Sequence, residues 1–323
     1  MRYRLRFLRY RLSMDDLSAL LDGPRARGAF TLKIVMTAPW AIDVRDEAPL
    51  SVLAVTAGEA WLRVDGEPTS ALRPGDVALL RGPEPYVVAD GPATAPGVSI
   101  LPGQVCVDSD GEHLEPSMNV GLGTWGNSIS GETTMLVGTY QSDGEVGRRL
   151  VEALPRVLVL RAGDPGSTLT DLLAAELGTP RAGRRAALDR LVDLLVIEVV
   201  RAWAQDRESS PAWLTGGADP CVGEALRLIQ DGCAEPWTVA SLARAVGLSR
   251  AAFARRFTEA VGRAPIAYLT DWRMTVAADL LHEPRATVSA VAARVGYPSP
   301  FTFSAAYKRH FGASPRHHLQ ASA

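Results

Sequence analysis

One pattern constrains this chain more than any other. Leu242-Ala243-Arg244-Ala245-Val246-Gly247-Leu248-Ser249 returns 49 residues later as Val291-Ala292-Ala293-Arg294-Val295-Gly296-Tyr297, followed by Ser299-Pro300. Each copy reads as a short helix, a tight turn and a capped second helix: the glycine permits positive φ, and the small alanine lets two helices approach closely. Ala243 matches Ala292 and Gly247 matches Gly296, with the second turn one residue longer. Cap signals place the neighbours. Asp219-Pro220 opens a helix with Val222, Leu226 and Ile229 inward and Gly232 as its stop, Thr238 caps the next, and Ser249 caps a third with Phe253 and Phe257 inward. Between Gly262 and Pro284 the pattern predicts a single long helix from Pro265 to Leu281, with Ile266, Leu269, Trp272, Val276 and Leu280 inward. Phe303, Tyr307 and Phe311 form the inward face of the last helix.

Two second helices at opposite ends of a rigid connector would enter successive major grooves on one face of a duplex, about 34 Å apart. Charge agrees with this. From Asp219 onward the chain carries 12 Lys/Arg against 8 Asp/Glu, although the whole is −2 and the stretch 13–218 is acidic. With 323 residues, 47% hydrophobic and 22% charged, the chain is expected to be soluble and to form two domains. The sequence contains no apolar run of about 18 residues, so a membrane partner is not expected. Cys106, Cys221 and Cys233 are odd in number and widely spaced. That spacing argues against a disulfide framework or a metal knuckle and fits a reducing cytoplasm.

The opening residues 1–13 alternate Arg with Tyr, Leu and Phe and lack the apolar stretch of a secretory signal. They read either as a basic arm or, preferably, as residues upstream of a natural start at Met14. Residues 14–206 are expected to form one domain. From Phe30 to Tyr140, short Val, Ile, Leu and Trp runs are cut by turn signals such as Asp65-Gly66 and Pro74-Gly75-Asp76, the spacing of an antiparallel barrel or sandwich. Leu188, Leu191, Val192, Leu195, Val196, Val199, Val200 and Trp203 then repeat at helical spacing. Leu194 and Ile197 make that helix apolar around most of its circumference, and a second subunit is the expected partner. Residues 207–218, with Ser-Ser-Pro and Gly-Gly, read as a linker, and 219–318 as the second domain.

The segment from Asp219 resembles the DNA-binding domain of the AraC/XylS family. The resemblance is carried by Leu242-Ala243, Gly247, Ser249, Phe253-Ala254-Arg255-Arg256-Phe257, Gly262, Pro265, Trp272-Arg273, Val291-Ala292, Gly296-Tyr297, Phe303, Lys308-Arg309, Phe311-Gly312 and Ser314-Pro315. It implies a sequence-specific transcription regulator acting on double-stranded DNA, with activation, and hence RNA polymerase as a partner, the family's tendency. By position it implies that Ser249, Arg250, Ala251, Ala254 and Arg255 in the first unit, and Ser299, Pro300, Phe301, Thr302 and Ala305 in the second, face the bases or cap the reading helices. Arg255 suits a bidentate grip on guanine O6 and N7. The alanines and Thr302 offer methyl contact or close approach, so the second unit is expected to rely more on phosphates and DNA shape. Arg273, Lys308 and Arg309 are candidate phosphate contacts, and the buried-type aromatics are assigned to core.

Around Pro74-Gly75-Asp76 the first domain resembles the cupin-type sensor barrels that precede such DNA-binding domains. The implied fold class is two-domain α+β: a cupin-like antiparallel β-barrel with dimerisation helices, then an all-α domain with two helix-turn-helix units joined by a long helix. Cupin metal sites need two or three His and a Glu. Tyr86 and Ser51 stand where those histidines would be, and His113 is the first domain's single histidine, so neither a metal nor a cofactor is expected, nor an enzyme. Trp40, Trp61, Tyr86, Trp125 and Tyr140 are candidate lining for a small-molecule effector. Asp108 and Asp110 beside Cys106 disfavour the thiolate that a redox sensor needs. Asp108, Asp110, Glu112 and Glu115 read as a solvated loop. The competing reading is a cupin-type enzyme or cysteine redox sensor fused to a DNA-binding domain.

Overall fold

The computed structural model describes residues 30–121, 123–140, 145–164, 168–179, 181–205, 211, 219–283 and 285–317. The expected leader 1–13, the expected linker 207–218 apart from Pro211, and the helix-stop residue Pro284 lie outside them. Two compact units divide the chain, one within 21–210 and one taking in 211–323.

The first unit is a pair of facing sheets. Its strands are β1 (Phe30–Met36), β2 (Ala41–Val44), β3 (Leu50–Ala57), β4 (Ala60–Val64), β5 (Ser70–Leu72), β6 (Val77–Arg81), β7 (Tyr86–Ala89), β8 (Val98–Leu101), β9 (Val105–Asp108), β10 (Asn119–Gly121), β11 (Thr124–Gly126), β12 (Thr133–Tyr140) and β13 (Val157–Leu160). One sheet runs β10-β11-β1-β12-β3-β6-β13 and the other β5-β4-β7-β2-β8-β9. The expected closed antiparallel barrel is therefore corrected on two counts: the ladders do not close, and β1 with β11 and β2 with β8 pair in parallel. Regular spacing of strands along a sequence carries no information on whether the first ladder meets the last, and both parallel pairs join strands distant in sequence.

Ile34, Met36, Ile42, Leu53, Leu62, Val88 and Met135 fill the space between the sheets. β3 is buried on both faces for its first six residues, which is why it reads as a nearly continuous apolar run and not as an alternation. Its outer side is covered by helices. The unit's helices are α1 (Glu115–Met118), α2 (Glu145–Ala153), α3 (Thr168–Gly178) and α4 (Arg184–Gln205). α3 lies over β3, and α4 over β6 and β13. Gly138 admits α4: a Cβ there would stand 3.0 Å from Cγ1 of Val192. Tyr140 donates to Asp193 across 3.2 Å and Thr31 to Asp189 across 3.1 Å, stitching α4 to β12 and β1. Leu188, Val192, Leu195, Val196, Val199, Val200 and Trp203 are buried, whereas Leu194 is 43% exposed. The Pro74-Gly75-Asp76 turn is structural: the buried Asp76 accepts from the backbone N–H of Arg73 and Ala162 and from the Arg161 guanidinium, pinning the end of β13.

The second unit is all helix: α5 (Pro220–Asp231), α6 (Val239–Ala245), α7 (Arg250–Val261), α8 (Pro265–Leu281), α9 (Val288–Arg294) and α10 (Pro300–Phe311). Asp219, Thr238, Ser249 and Ser299 cap helices as the sequence predicts, and Thr287 adds a cap beyond those predicted. Asp219, Thr238, Ser249, Thr287 and Ser299 each accept from a backbone N–H of the first turn, and Gly262 and Gly312 end α7 and α10 at φ 76°. α8 serves two cores. Tyr268 meets Phe257, which meets Phe253, at ring separations of 5.9 and 5.5 Å. Met274, Ala277, Ala278 and Leu281 pack instead with Val291, Val295, Phe303 and Tyr307. The larger of these side chains, such as Met274, Leu281, Val291 and Phe303, each contribute roughly 1.5–3 kcal/mol by leaving water. The expected inward face of α8 needs one correction: Ile266 is 38% exposed, and Tyr268 takes the core position beside Leu269. Helical periodicity alone does not distinguish the two at the start of a helix packed on several sides.

Candidate nucleic-acid interface and ligand cavity

α7 leaves one polar face to solvent because its aromatic stripe is held inside. With Phe253 and Phe257 fully buried, Arg250, Ala251 and Arg255 are exposed and Ala254 is half-buried. Ser249 caps the helix, accepting from the N–H of Ala252 at 3.2 Å. Arg255 bonds Glu259 at 3.2 Å with both side chains more than 60% exposed, a pair of at most about 1 kcal/mol that yields readily to a stronger acceptor. The adjacent Arg256 does the opposite. It turns inward and donates to Asp219 across 2.6 Å, joining α7 to the cap of α5, a role for which the Phe-Ala-Arg-Arg-Phe sequence holds no signal.

α10 repeats the arrangement with different chemistry. Phe303 and Tyr307 take the places of Phe253 and Phe257, so Ala305 occupies the place of Arg255 and Phe301 that of Ala251. Phe301 is 86% exposed. Thr302 and Ala305 are exposed, Ser299 and Pro300 half-buried, and the Thr302 hydroxyl donates to the carbonyl of Ser299 at 2.9 Å. Lys308 and Arg309 are exposed in the last turn, where the helix dipole favours cations.

Arg273 stands apart from the other expected phosphate contacts. Its Nε donates to the carbonyl of Cys233 at 2.6 Å and its Nη2 to that of Glu235 at 2.8 Å, while Cζ lies 5.8 Å from the Tyr297 ring centroid. Two of its three nitrogens thus bond carbonyls of the protein itself. A guanidinium that caps loop carbonyls is visible only once the loop is folded.

Two adjoining cavities lie in the first unit. One, of only about 30 Å³, is lined by Ile34, Ile42, Val44, Leu53, Met135 and Tyr86, with the half-buried Gln104 donating to Asp46 at 2.9 Å beside it. The other shares Ile100 and Gln104 and reaches Leu32, Cys106, Asn119 and Trp125. Burial, and after it the Asp46 carboxylate, push the Tyr86 phenol well above its usual range. Of the five expected lining residues, Tyr86 and Trp125 line a cavity. Trp40 belongs to the core, Trp61 is half-buried on an alternating strand, and Tyr140 is turned to α4, its phenol raised by burial and by Asp193. The aliphatic lining escaped sequence reasoning because inward and outward strand faces are told apart only by the register of both sheets. Cys106 is buried. Asp108 accepts from the N–H of Asp110 and Glu112, closing a turn.

Residues 15–205 match a family model described as Cupin, and residues 242–321 one described as Helix-turn-helix domain. An AraC-like transcription regulator of Streptomyces lividans is 32% identical over 312 residues, covering 94% of this chain and 97% of that protein. The chain belongs to the AraC family of transcription regulators. A second AraC-like regulator, from Streptomyces antibioticus, is 31% identical over 94% of this chain and 97% of its own. The regulator AlkR of Acinetobacter baylyi is 28% identical over 96% of this chain and its entire length. As an AraC-family chain, it is a DNA-binding regulator with a β-rich cupin region ahead of a helical helix-turn-helix region. Among the described residues, no helix is long and apolar enough to cross a membrane.

Proposed function

We propose that this AraC-family regulator reads DNA with the exposed amino-terminal faces of α7 and α10, that a small molecule in the cavities between its sheets controls it, and that it acts as a homodimer. One observation carries the DNA reading. Arg250, Ala251 and Arg255, and again Phe301, Thr302 and Ala305, face solvent at the starts of two helices whose opposite sides are buried in one all-α unit. In this reading Arg250 and Arg255 supply hydrogen-bonded base contacts, Phe301 and the alanines supply apolar contact with thymine methyls, and Lys308 and Arg309 bind phosphate. The test is a footprint of the full chain on its own upstream region. Arg250→Ala and Arg255→Ala should weaken protection over the same half-element, whereas protection unaltered by both would remove α7 from the groove.

The second cavity, of about 270 Å³ and lined by Leu32, Ile100 and Trp125 with Gln104 and Asn119, supports an effector that is mostly apolar with a few polar groups. A thermal-shift screen of small metabolites tests this: a hit should raise Tm for the wild type and not for Ile100→Trp, which narrows the cavity. Leu194, exposed on a helix whose other large apolar residues are mostly covered, supports α4 as the seam between two copies. Activation through RNA polymerase is the direction proposed, on the family's tendency.

A further inference from the structure

We propose that Arg273 is the positioning residue that fixes the spacing at which α7 and α10 meet DNA, acting through a joint between the loop after α5 and the turn of the second helix-turn-helix unit. The inference rests on the DNA-reading faces proposed above. α8 connects the two units as one helix of 17 residues, and its residues serve both cores. A shared helix fixes distance better than it fixes twist, because the second unit can pivot about its axis unless something off that axis joins the two. The off-axis contact is present. Loop 232–237 belongs to the first helix-turn-helix unit, since Trp237 donates to the carbonyl of Gly232 at 2.9 Å and Thr238 caps α6. That loop meets the second helix-turn-helix unit at Gly296, where an added Cβ would run into the carbonyl oxygen of Ala234.

Arg273 lies at the same place and bridges it. Its Nε and Nη2 bond the carbonyls on either side of Ala234, those of Cys233 and Glu235, and its guanidinium lies over Tyr297, the residue after Gly296. Arg273 thus touches the loop of the first helix-turn-helix unit and the turn of the second while rooted in the helix between them. Its planar fork spans two carbonyls at once, which a lysine cannot do. A joint that holds two half-site readers in register makes the second contact nearly intramolecular, and loosening it lowers the effective concentration of the second reader.

The test uses the full chain and sites selected from a random 30-base-pair duplex library. The wild type should select two half-elements at a single spacing. Arg273→Met should retain both half-elements, spread their spacing by one or more base pairs, and bind the wild-type-spaced site about tenfold more weakly. The slope of log affinity against log salt should not change. Arg273→Lys should be intermediate, and Gly296→Ala, which opens the same joint from the other side, should spread the spacing in the same way. A phosphate contact predicts something else: uniform weakening with the spacing kept, a salt slope smaller by about one for Arg273→Met, and rescue by lysine. That result, or a single unaltered spacing in all three variants, overturns the proposal. Where Arg273→Met fails to fold, Arg273→Lys and Gly296→Ala decide. Absence of any selected site for the wild type would instead overturn the DNA reading on which the joint depends.

Discussion

Arg255 and Ala305 occupy equivalent places on their helices, and on the proposed DNA reading that one difference would make the two surfaces unequal. Arg255→Ala should cost about 1–3 kcal/mol in binding to a selected site and relax its specificity, whereas Thr302→Ala, whose hydroxyl already serves the Ser299 carbonyl, should cost less. Fluorescence anisotropy with matched and mismatched duplexes measures both, and the reverse order would mean that the reading faces are assigned wrongly. Asp219 gives a second residue-scale prediction. Burial pushes its carboxyl up, but hydrogen bonds from Arg256 and from the N–H of Cys221 outweigh burial and leave it below the ordinary 3.8. A carboxylate depressed on folding stabilises above its ordinary value and loses that contribution as pH falls through the folded one, so the gain declines progressively from about pH 4 downward. Asp219→Asn keeps the cap and loses the ion pair; Asp219→Ala loses both and should cost about 1 kcal/mol more. Thermal scans should show the gap between wild type and Asp219→Asn closing as pH drops from 7 to 3.

At the scale of elements, the helical unit was legible because its signals are local. Asp219, Thr238, Ser249 and Ser299 cap helices within three residues of themselves, and Phe253, Phe257, Phe303 and Tyr307 repeat at helical spacing. The β unit was legible only in kind. Its open sheets depend on pairings such as Lys33 with Thr124 and Ile42 with Val98, which no local pattern encodes. The site divides along the same line: exposed Arg250 and Arg255 follow from the buried stripe beside them, whereas Arg273 and the aliphatic cavity lining depend on long-range register. The turn glycines separate the local effect from the long-range one. Gly247 and Gly296 both adopt positive φ, at 72° and 76°, but only Gly296 faces a backbone carbonyl. Gly247→Ala should therefore cost about 1–2 kcal/mol from conformation alone, and Gly296→Ala distinctly more, as read by chemical denaturation.

The whole molecule joins an acidic β-rich region to a basic helical one, and the regulatory account requires α4 to join two copies. Leu194→Glu should shift the chain toward monomer in sedimentation velocity without lowering the Tm of either unit, since Leu194 is 43% exposed and its loss opens no cavity. Unchanged mass would move the seam elsewhere. The central claim, sequence-specific DNA recognition by the paired helix-turn-helix units, is tested most directly by competition at moderate salt between the protein's own upstream region and a random duplex of equal length. The account predicts binding to the upstream region tighter by about a thousandfold or more. Equal affinity for the two duplexes would contradict it.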